Sequence, residues 1–473
     1  MGRRLSIFLS VFFAFAALCA WTGCGSYAEN SSKMRNAWRT GNFTLAEAIA
    51  ASEAVSADAD NLLLWQLEHA SVLRGQQKNA EAQQVLEAAA KTLEMWDEQP
   101  EILLSQEIEA TFSNLSALPY RGRGIDRIML QTYRALNFLE AGEKDAARVA
   151  LNAAFQAQSD AVEQNEEKIR EFQDTAEALG SEFSEMKKND SVNEFIASEE
   201  SRLSKFAGYA DYVNPFTTWL HGIYFLHAGE DGSDRERARK SLERVVAMEP
   251  GNTFVREDLE TAKDNDADDA ITYVIFEYGL APTLNMIRAD LLLTIPTGRY
   301  PVLAPMSIAL PRLSQLNTDG LPVMRANDVP AQTVCNMDRV IQTDFRNSYP
   351  RVLARTLLNA FLKTTASVVV NAAAMEYANS DGSAASVLVA LGTMIGTSAA
   401  TYASTDADVR TWQTLPANFS VARLPTPASR NLVVDVAGHR SEVKLLPGKV
   451  NVVFVKSVGF ALEPKVNQFI LKK

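Results

Sequence analysis

Few residues in this sequence have the types and spacing that chemistry demands. Cys335, in Thr333-Val334-Cys335-Asn336, has no histidine nearby, so it reads as buried packing rather than a thiolate nucleophile. His221 and His227 stand at i, i+6, which puts them on different faces of a helix and not at the i, i+4 spacing of a zinc site, and His69 and His439 are isolated. Asp264, Asp266 and Asp268 alternate like the opening of a calcium loop. Asp269 then stands where the sharp turn needs glycine and Ile275 where a bidentate glutamate belongs, so the run reads as a solvated linker. Arg121-Gly122-Arg123-Gly124 has loop glycines but neither a preceding strand nor a following Lys-Ser/Thr, so it is no phosphate loop. Arg121 and Arg123 are expected either to face an anionic partner surface or to cap the next helix. With no base beside a nucleophile and no ligand cluster, the expectation is a protein that is not an enzyme and holds no cofactor or metal.

The elements that would position these residues fit in a chain of 473 residues, about three structural units at the usual domain size. Hydrophobic residues make up 47% and charged residues 22%, the balance of a folded body, and a net charge of -12 opposes nucleic acid over most of the surface. Only 3 cysteines and 4 histidines are present, too few for a disulfide scaffold or a Cys/His zinc module.

Arg3 and Arg4 precede an uncharged apolar run from Leu5 to Ala20, the pattern of an export signal that is short for a membrane span. It ends in Trp21-Thr22-Gly23-Cys24-Gly25-Ser26, which resembles the lipobox of bacterial lipoproteins. The resemblance implies a signal peptide over 1–23, acylation (palmitate among the chains) of Cys24 as the new N-terminus, an anchor linker over 24–34, and a periplasm-facing location on the bacterial outer membrane. Two or three acyl chains hold a protein stably, because each buried CH2 contributes about 0.8 kcal/mol.

From Arg35 to Ala262 the sequence is rich in Ala, Leu, Glu, Gln and Lys, the composition of helices. Gly41, Gly75, Gly142 and Gly229 each close an apolar helical run, and Ala46, Ala80 and Ala147 follow the first three five residues later. Gly41 to Gly75 is 34 residues, the tetratricopeptide period, and Gly75 to Gly142 is 67. Ala135, Phe138, Gly142, Ala147, Leu151 and Ala154 have the spacing of that repeat's packing residues. Gly222, Phe225, Gly229, Ala238 and Leu242 repeat it with about four extra residues, 230–233, in the turn. Gln84 falls where a large apolar residue is wanted. A polar insertion, 156–205, reads as long amphipathic helices that protrude from the array or wrap it.

After the acidic linker, 263–270, short β-branched runs separated by Pro and Gly turns predict strands over 271–278, 287–295, 302–310, 418–424, 432–436, 442–446, 450–458 and 468–471. They are expected to form an antiparallel β-sandwich over 271–473, split by a helical insertion, 337–403, with breaks near Pro350 and Asp381. From Gly382 to Thr405 there is no charge, and Gly392 and Gly396 form a GxxxG. That run reads as a small-residue hairpin packed on the Thr364–Met375 helix or the sheet, with membrane insertion and a homo-oligomer through the Gly392–Gly396 helix as the alternative.

Leu118-Pro119-Tyr120 with Asp126, Met129-Leu130 with Tyr133-Arg134-Ala135-Leu136-Asn137 and Ala146-Ala147-Arg148-Val149, and Trp412-Gln413-Thr414-Leu415-Pro416 with Val421-Ala422-Arg423-Leu424 together carry a resemblance. In them the chain is similar to an uncharacterised family of bacterial lipoproteins with tetratricopeptide-like repeats and a C-terminal β-rich domain. The resemblance implies an α+β multidomain fold: an N-terminal tetratricopeptide-like α-solenoid, then a β-sandwich-like domain with a helical-hairpin insertion. It implies no reaction. Trp412 and Tyr133 read as core anchors. The functional expectation is a scaffold that docks a protein partner in a cell-envelope complex. A lipoprotein that binds peptidoglycan or polysaccharide is the alternative, and an envelope hydrolase a third.

Overall fold

The computed structural model describes residues 24–98, 119–178, 180–210, 212–264, 269–296, 301–314, 321–381, 383, 386–394, 406–459 and 462–473. The signal segment 1–23, Leu118, the linker centre 265–268 and residues 395–403 with Gly396 lie outside them. The protein is α+β: eleven helices are followed, among the described residues, by mixed β-sheets interrupted by one long helix.

Four antiparallel helix pairs make the first layer: α1 (Cys24–Arg39) with α2 (Phe43–Ser56), α3 (Leu62–Gly75) with α4 (Asn79–Glu98), α5 (Gly124–Ala141) with α6 (Lys144–Ala178), and α9 (Pro215–Ala228) with α10 (Gly232–Met248). The first three turn on the same backbone motif. Gly41, Gln77 and Gly142 are left-handed (φ 79, 63 and 81°); each donates its N–H three residues back, and the next residue donates five back, as in Asn42→Ala37, Lys78→Leu73 and Glu143→Phe138. This satisfies the orphan carbonyls of the helix end. The expected register slips in the second pair: the turn residue is Gln77, not Gly75. Counted from Gln77, Ala82 and Leu86 take the buried positions that Ala80 and Gln84 were expected to hold, while Ala80 is exposed. Gly75 serves packing instead, because a Cβ there would lie 1.8 Å from Trp38 Cη2.

Residues 24–34 are not a linker. They lie in α1, which buries Tyr27, Ser31, Met34 and Trp38, because its apolar residues recur at helical spacing. The polar insertion wraps rather than protrudes: after α6, helices α7 (Gly180–Lys187) and α8 (Asp190–Leu203) place Met186, Val192 and Leu203 in a shared apolar cluster. Helix α11 (Thr253–Asp264) ends the first layer.

The strands are β1 (Ile271–Tyr278), β2 (Leu284–Pro296), β3 (Pro301–Leu313), β4 (Arg325–Ala326), β5 (Val329–Pro330), β6 (Gln332–Asn336), β7 (Asn418–Pro425), β8 (Asn431–Val436), β9 (His439–Lys444), β10 (Val450–Ser457) and β11 (Lys465–Lys472). The five-stranded sheet has the order β11-β10-β1-β7-β6, and β1 pairs β10 in parallel (Ile271 with Val450), so the expected all-antiparallel arrangement is corrected to a mixed sheet. Burial on both faces accounts for the unbroken buried pattern of β1 and β10, as expected of central parallel strands. One face, with Phe276, Ala422 and Val453, meets Leu432 and Val434 of the four-stranded sheet β5-β4-β8-β9.

The other face rests on the helices, and the two layers share one core. Tyr273, Ile275, Val452, Phe454 and Phe419 pack with Trp65, Leu136, Phe216, Trp219 and Tyr224. The separate bodies expected on either side of 263–270 are therefore one. Polar groups knit the seam. Trp412 is buried, stands edge-on to Tyr133 at 5.8 Å and donates its Nε1–H to Ser71 Oγ at 3.0 Å. Buried Lys456 pairs with Glu277 at 2.6 Å, and Arg423 and Tyr273 both donate to Asp258 Oδ1. Glu68 of α3 accepts from Thr414 Oγ1 at 2.6 Å and from the Gln413 N–H at 2.5 Å. Burial nonetheless pushes its pKa up to about 7.

Helix α12 (Met337–Asp381) runs through Pro350 without the expected break. A proline inside a helix costs about 3 kcal/mol. Phe345, Tyr349, Leu353, Leu357 and Phe361 offset this by packing one face of α12 on the β2–β3 hairpin, whose Leu293, Met306, Ile308 and Leu310 point inward. Beyond Val368, α12 leaves this support, and a short helix α13 over 386–394 folds back on it.

Candidate functional site

Where α5, α6, α12, the β2–β3 hairpin and residues 407–410 meet, they enclose a cleft of about 350 Å3. Its floor is apolar, from Leu284, Ala309, Pro311, Phe345 and Val352. Its walls carry Arg121, Arg123, Lys168, Arg351, Arg355 and Arg410 against Glu171, Asp344 and Asp408, with Tyr120, Tyr212, Ser348 and Tyr349 among them. In a chain of net charge -12, six cationic side chains around one cleft are a local reversal of sign.

The loop holding Arg121 and Arg123 is shaped by its glycines. Gly122 is left-handed at φ 77°, and a Cβ on Gly124 would lie 2.8 Å from Ala161 Cβ, so only these residues let the loop lie flat on its neighbours. Arg123 is the N-cap of α5: its backbone N–H donates to Asp126 Oδ2 at 2.8 Å, the carboxylate half of a capping box, and Tyr120 Oη donates to the same oxygen at 2.5 Å. The arginine's side chain reaches Arg410 O at 3.2 Å. Burial weakens the Arg123 charge, but Tyr120, Asp344 and Asp126 beside it hold its pKa above the usual arginine value.

Arg410 is fixed by two parallel bonds to Asp408 (2.9 and 2.8 Å) and by donation to Asp60 O at 3.1 Å, which ties the cleft to the α2–α3 connection. Arg351 and Arg355 stand one turn apart on α12 and line the same wall. Asp344 is buried on that helix. Burial pushes its carboxyl up to about 6, against the pull of Arg123 and Lys168. The cleft therefore combines fixed positive charge with one carboxyl that titrates near neutrality. Such a surface can hold an anion by charge-assisted hydrogen bonds.

Of the residues singled out from sequence, Arg121 and Arg123 line this cleft, with Gly122 and Gly124 of the same loop and Pro119 and Tyr120 just before it. Ala135, Ala147, Leu151, Ala154, Phe225, Ala238 and Leu242 are buried between helices, Phe138 is half-buried, and Gly222 would place a Cβ 3.0 Å from Leu242. Gly229 ends α9 with an extended backbone. His221 bonds Ser241 Oγ and His227 bonds Tyr273 Oη, both at 2.9 Å, and burial lowers their pKa values to about 4 and about 3. Cys335 is buried beside Asn214, and burial raises its thiol pKa. No cluster of three or more His, Cys, Asp or Glu side chains suited to a metal occurs among the described residues. Lys168, Asp344, Arg351, Arg355 and Arg410 were not legible as site residues, although the i, i+4 spacing of Arg351 and Arg355 was a signal.

A scan against protein-family models finds no match, and searches of curated proteins and of solved structures return none either.

Proposed function

We propose that this chain is a lipid-anchored envelope protein that binds an anionic ligand in its arginine-lined cleft, without turning it over. The observation that carries the reading is the crowding of six cationic side chains against three carboxylates in one cleft of an acidic protein. Like charges held together by a fold repel one another, and a bound anion relieves that repulsion. The helix pairs, with their repeated left-handed turns, are read as tetratricopeptide-like repeats and the facing sheets as a sandwich. Acylation at Cys24 on the periplasmic face of an outer membrane remains the reading of the N-terminal motif.

A protein-docking scaffold would use the open face of such a repeat array. Here that face packs against the chain's own five-stranded sheet, so the geometry favours the ligand-binding alternative over the scaffold. The volume suits a small carboxylate- or phosphate-bearing molecule, including an acidic fragment of a wall polymer. The test is calorimetric titration of the purified protein with sulfate and with pyrophosphate. The Arg351→Gln/Arg355→Gln variant is expected to weaken binding by about 10- to 100-fold, the usual loss for one or two charged hydrogen bonds. Equal binding by variant and parent, or none by the parent at millimolar anion, would defeat the proposal.

A further inference from the structure

The far end of α12 and α13 form a helical hairpin whose surface does not suit water. Between Lys363 and Met394 the described residues carry two charges, Glu376 and Asp381, and α12 contains an 18-residue stretch of mean hydropathy 1.3. The two helices meet through small residues: Ala378, Ser386 and Ala390 are buried, and Ser386 Oγ donates to Ala378 O. Ser386 and Ala390 are one small-xxx-small pair, the close-packing device of helices in hydrocarbon. Gly392 takes no part, since a Cβ there would meet nothing within 4 Å.

Apart from Glu376 and the polar tip of Asn379, Ser380, Asp381 and Ser383, most of what remains outside is apolar. Val387, Leu388, Val389 and Leu391 are exposed at 47, 69, 41 and 48%, and Val369, Val370 and Tyr377 at 63, 47 and 58%. At 100° per residue, consecutive positions 387, 388 and 389 point in three different directions. A protein partner, or a second copy, covers one side of a hairpin. Only an apolar medium covers every side, which is the pattern of a helix hydrophobic all round.

We infer that this hairpin enters a lipid bilayer. From Val369, past the last residue packed on the hairpin core, to Asp381 the helix extends about 20 Å at the usual rise, about two thirds of the roughly 30 Å of a hydrocarbon core. The carboxylates Glu376 and Asp381 lie in its last two turns with Asn379 and Ser380, and a span this short is accommodated by local thinning of the bilayer and snorkelling of its polar end. At the start of α1, Tyr27 Oη donates to Thr411 O. This inference rests on the hairpin's surface alone, and the anion-binding reading stands or falls without it.

The test labels Leu388→Cys of the full protein with the polarity-sensitive fluorophore NBD, subtracting the signal of the parent protein. Val55→Cys, on α2 at 90% exposure, is the control outside the hairpin. Both sites are exposed and tolerate the change. On vesicles of phosphatidylethanolamine and phosphatidylglycerol (3:1), emission at 388 is expected to rise several-fold, shift to the blue, and be quenched by doxyl-labelled lipid, while emission at 55 stays water-like. Unchanged emission at 388 on vesicle-bound protein would overturn the inference. So would a blue shift without lipid that grows with protein concentration, which would make the surface a contact between copies.

Discussion

The cleft's response to pH follows from Asp344. With a pKa raised to about 6, it is almost fully ionised at pH 7.5 and about nine-tenths protonated at pH 5. The ionised carboxylate repels an anion in the same cleft. In a space of about 350 Å3 the two charges stand about 7 Å apart, and at an effective dielectric of about 20 their repulsion is about 2 kcal/mol per unit charge. For doubly charged sulfate the ionised form is then disfavoured by about 4 kcal/mol, so binding follows the protonated fraction, about 0.9 at pH 5 and about 0.03 at pH 7.5, and the affinity is about 30-fold higher at pH 5. Sulfate is the right probe, because its own charge is constant over this range. Titration at both pH values should show the gain, with proton uptake on binding near pH 6.5. Asp344→Asn should bind sulfate at pH 7.5 as tightly as the parent does at pH 5, and lose the pH dependence. Binding by the parent that is equal at both pH values, or an Asn variant that keeps the dependence, would refute the electrostatic account of the cleft.

Other perturbations test the frame. Gly75→Ala forces a methyl against the buried Trp38 ring and should destabilise by about 1–3 kcal/mol in chemical denaturation, although propensity alone would gain about 1 kcal/mol; Gly232→Ala, with open space, should not destabilise. Lys456→Met leaves Glu277 buried without its cation and should cost about 3–5 kcal/mol, most of it recovered in Lys456→Met/Glu277→Leu. Glu68 (about 7), Asp258 and Asp344 (both about 6) hold protons more tightly folded than unfolded, so stability present at pH 5 is lost as pH rises through 6 to 7.5, and the melting temperature should fall over that interval. Cys24→Ser should abolish the acyl mass on the mature N-terminus, read by mass spectrometry of detergent-extracted protein, and a parent protein without acyl mass would remove the anchor.

Local structure was legible where one physical signal dominates. Ile271–Tyr278 and Asn418–Leu424 were readable as strands from their β-branched runs, and helix ends from Gly41 and Gly142. The slip at Gly75 arose because a glycine can serve either a turn or a close contact, and only Trp38 decides which. The two-residue strands β4 and β5 are too short to carry a pattern. Pro350 misled because tertiary packing outweighed its local cost. The mixed sheet and the shared core were not legible, since pairing β1 with β10 joins residues about 180 apart. The cleft draws on segments from Pro119 to Arg410, each ordinary on its own.

The central place of β1 also bears on how the chain acquires its structure. Its neighbours, β7 and β10, come from the last part of the sequence, so loop closure over long separations precedes any reward from pairing. Until those strands emerge, the apolar face of the helical layer has nothing to cover it. A chain delivered from its N-terminus, or truncated before Val450, presents that face as a sticky surface, and such intermediates aggregate. Productive folding of this protein is therefore a late event, decided when its final strands arrive.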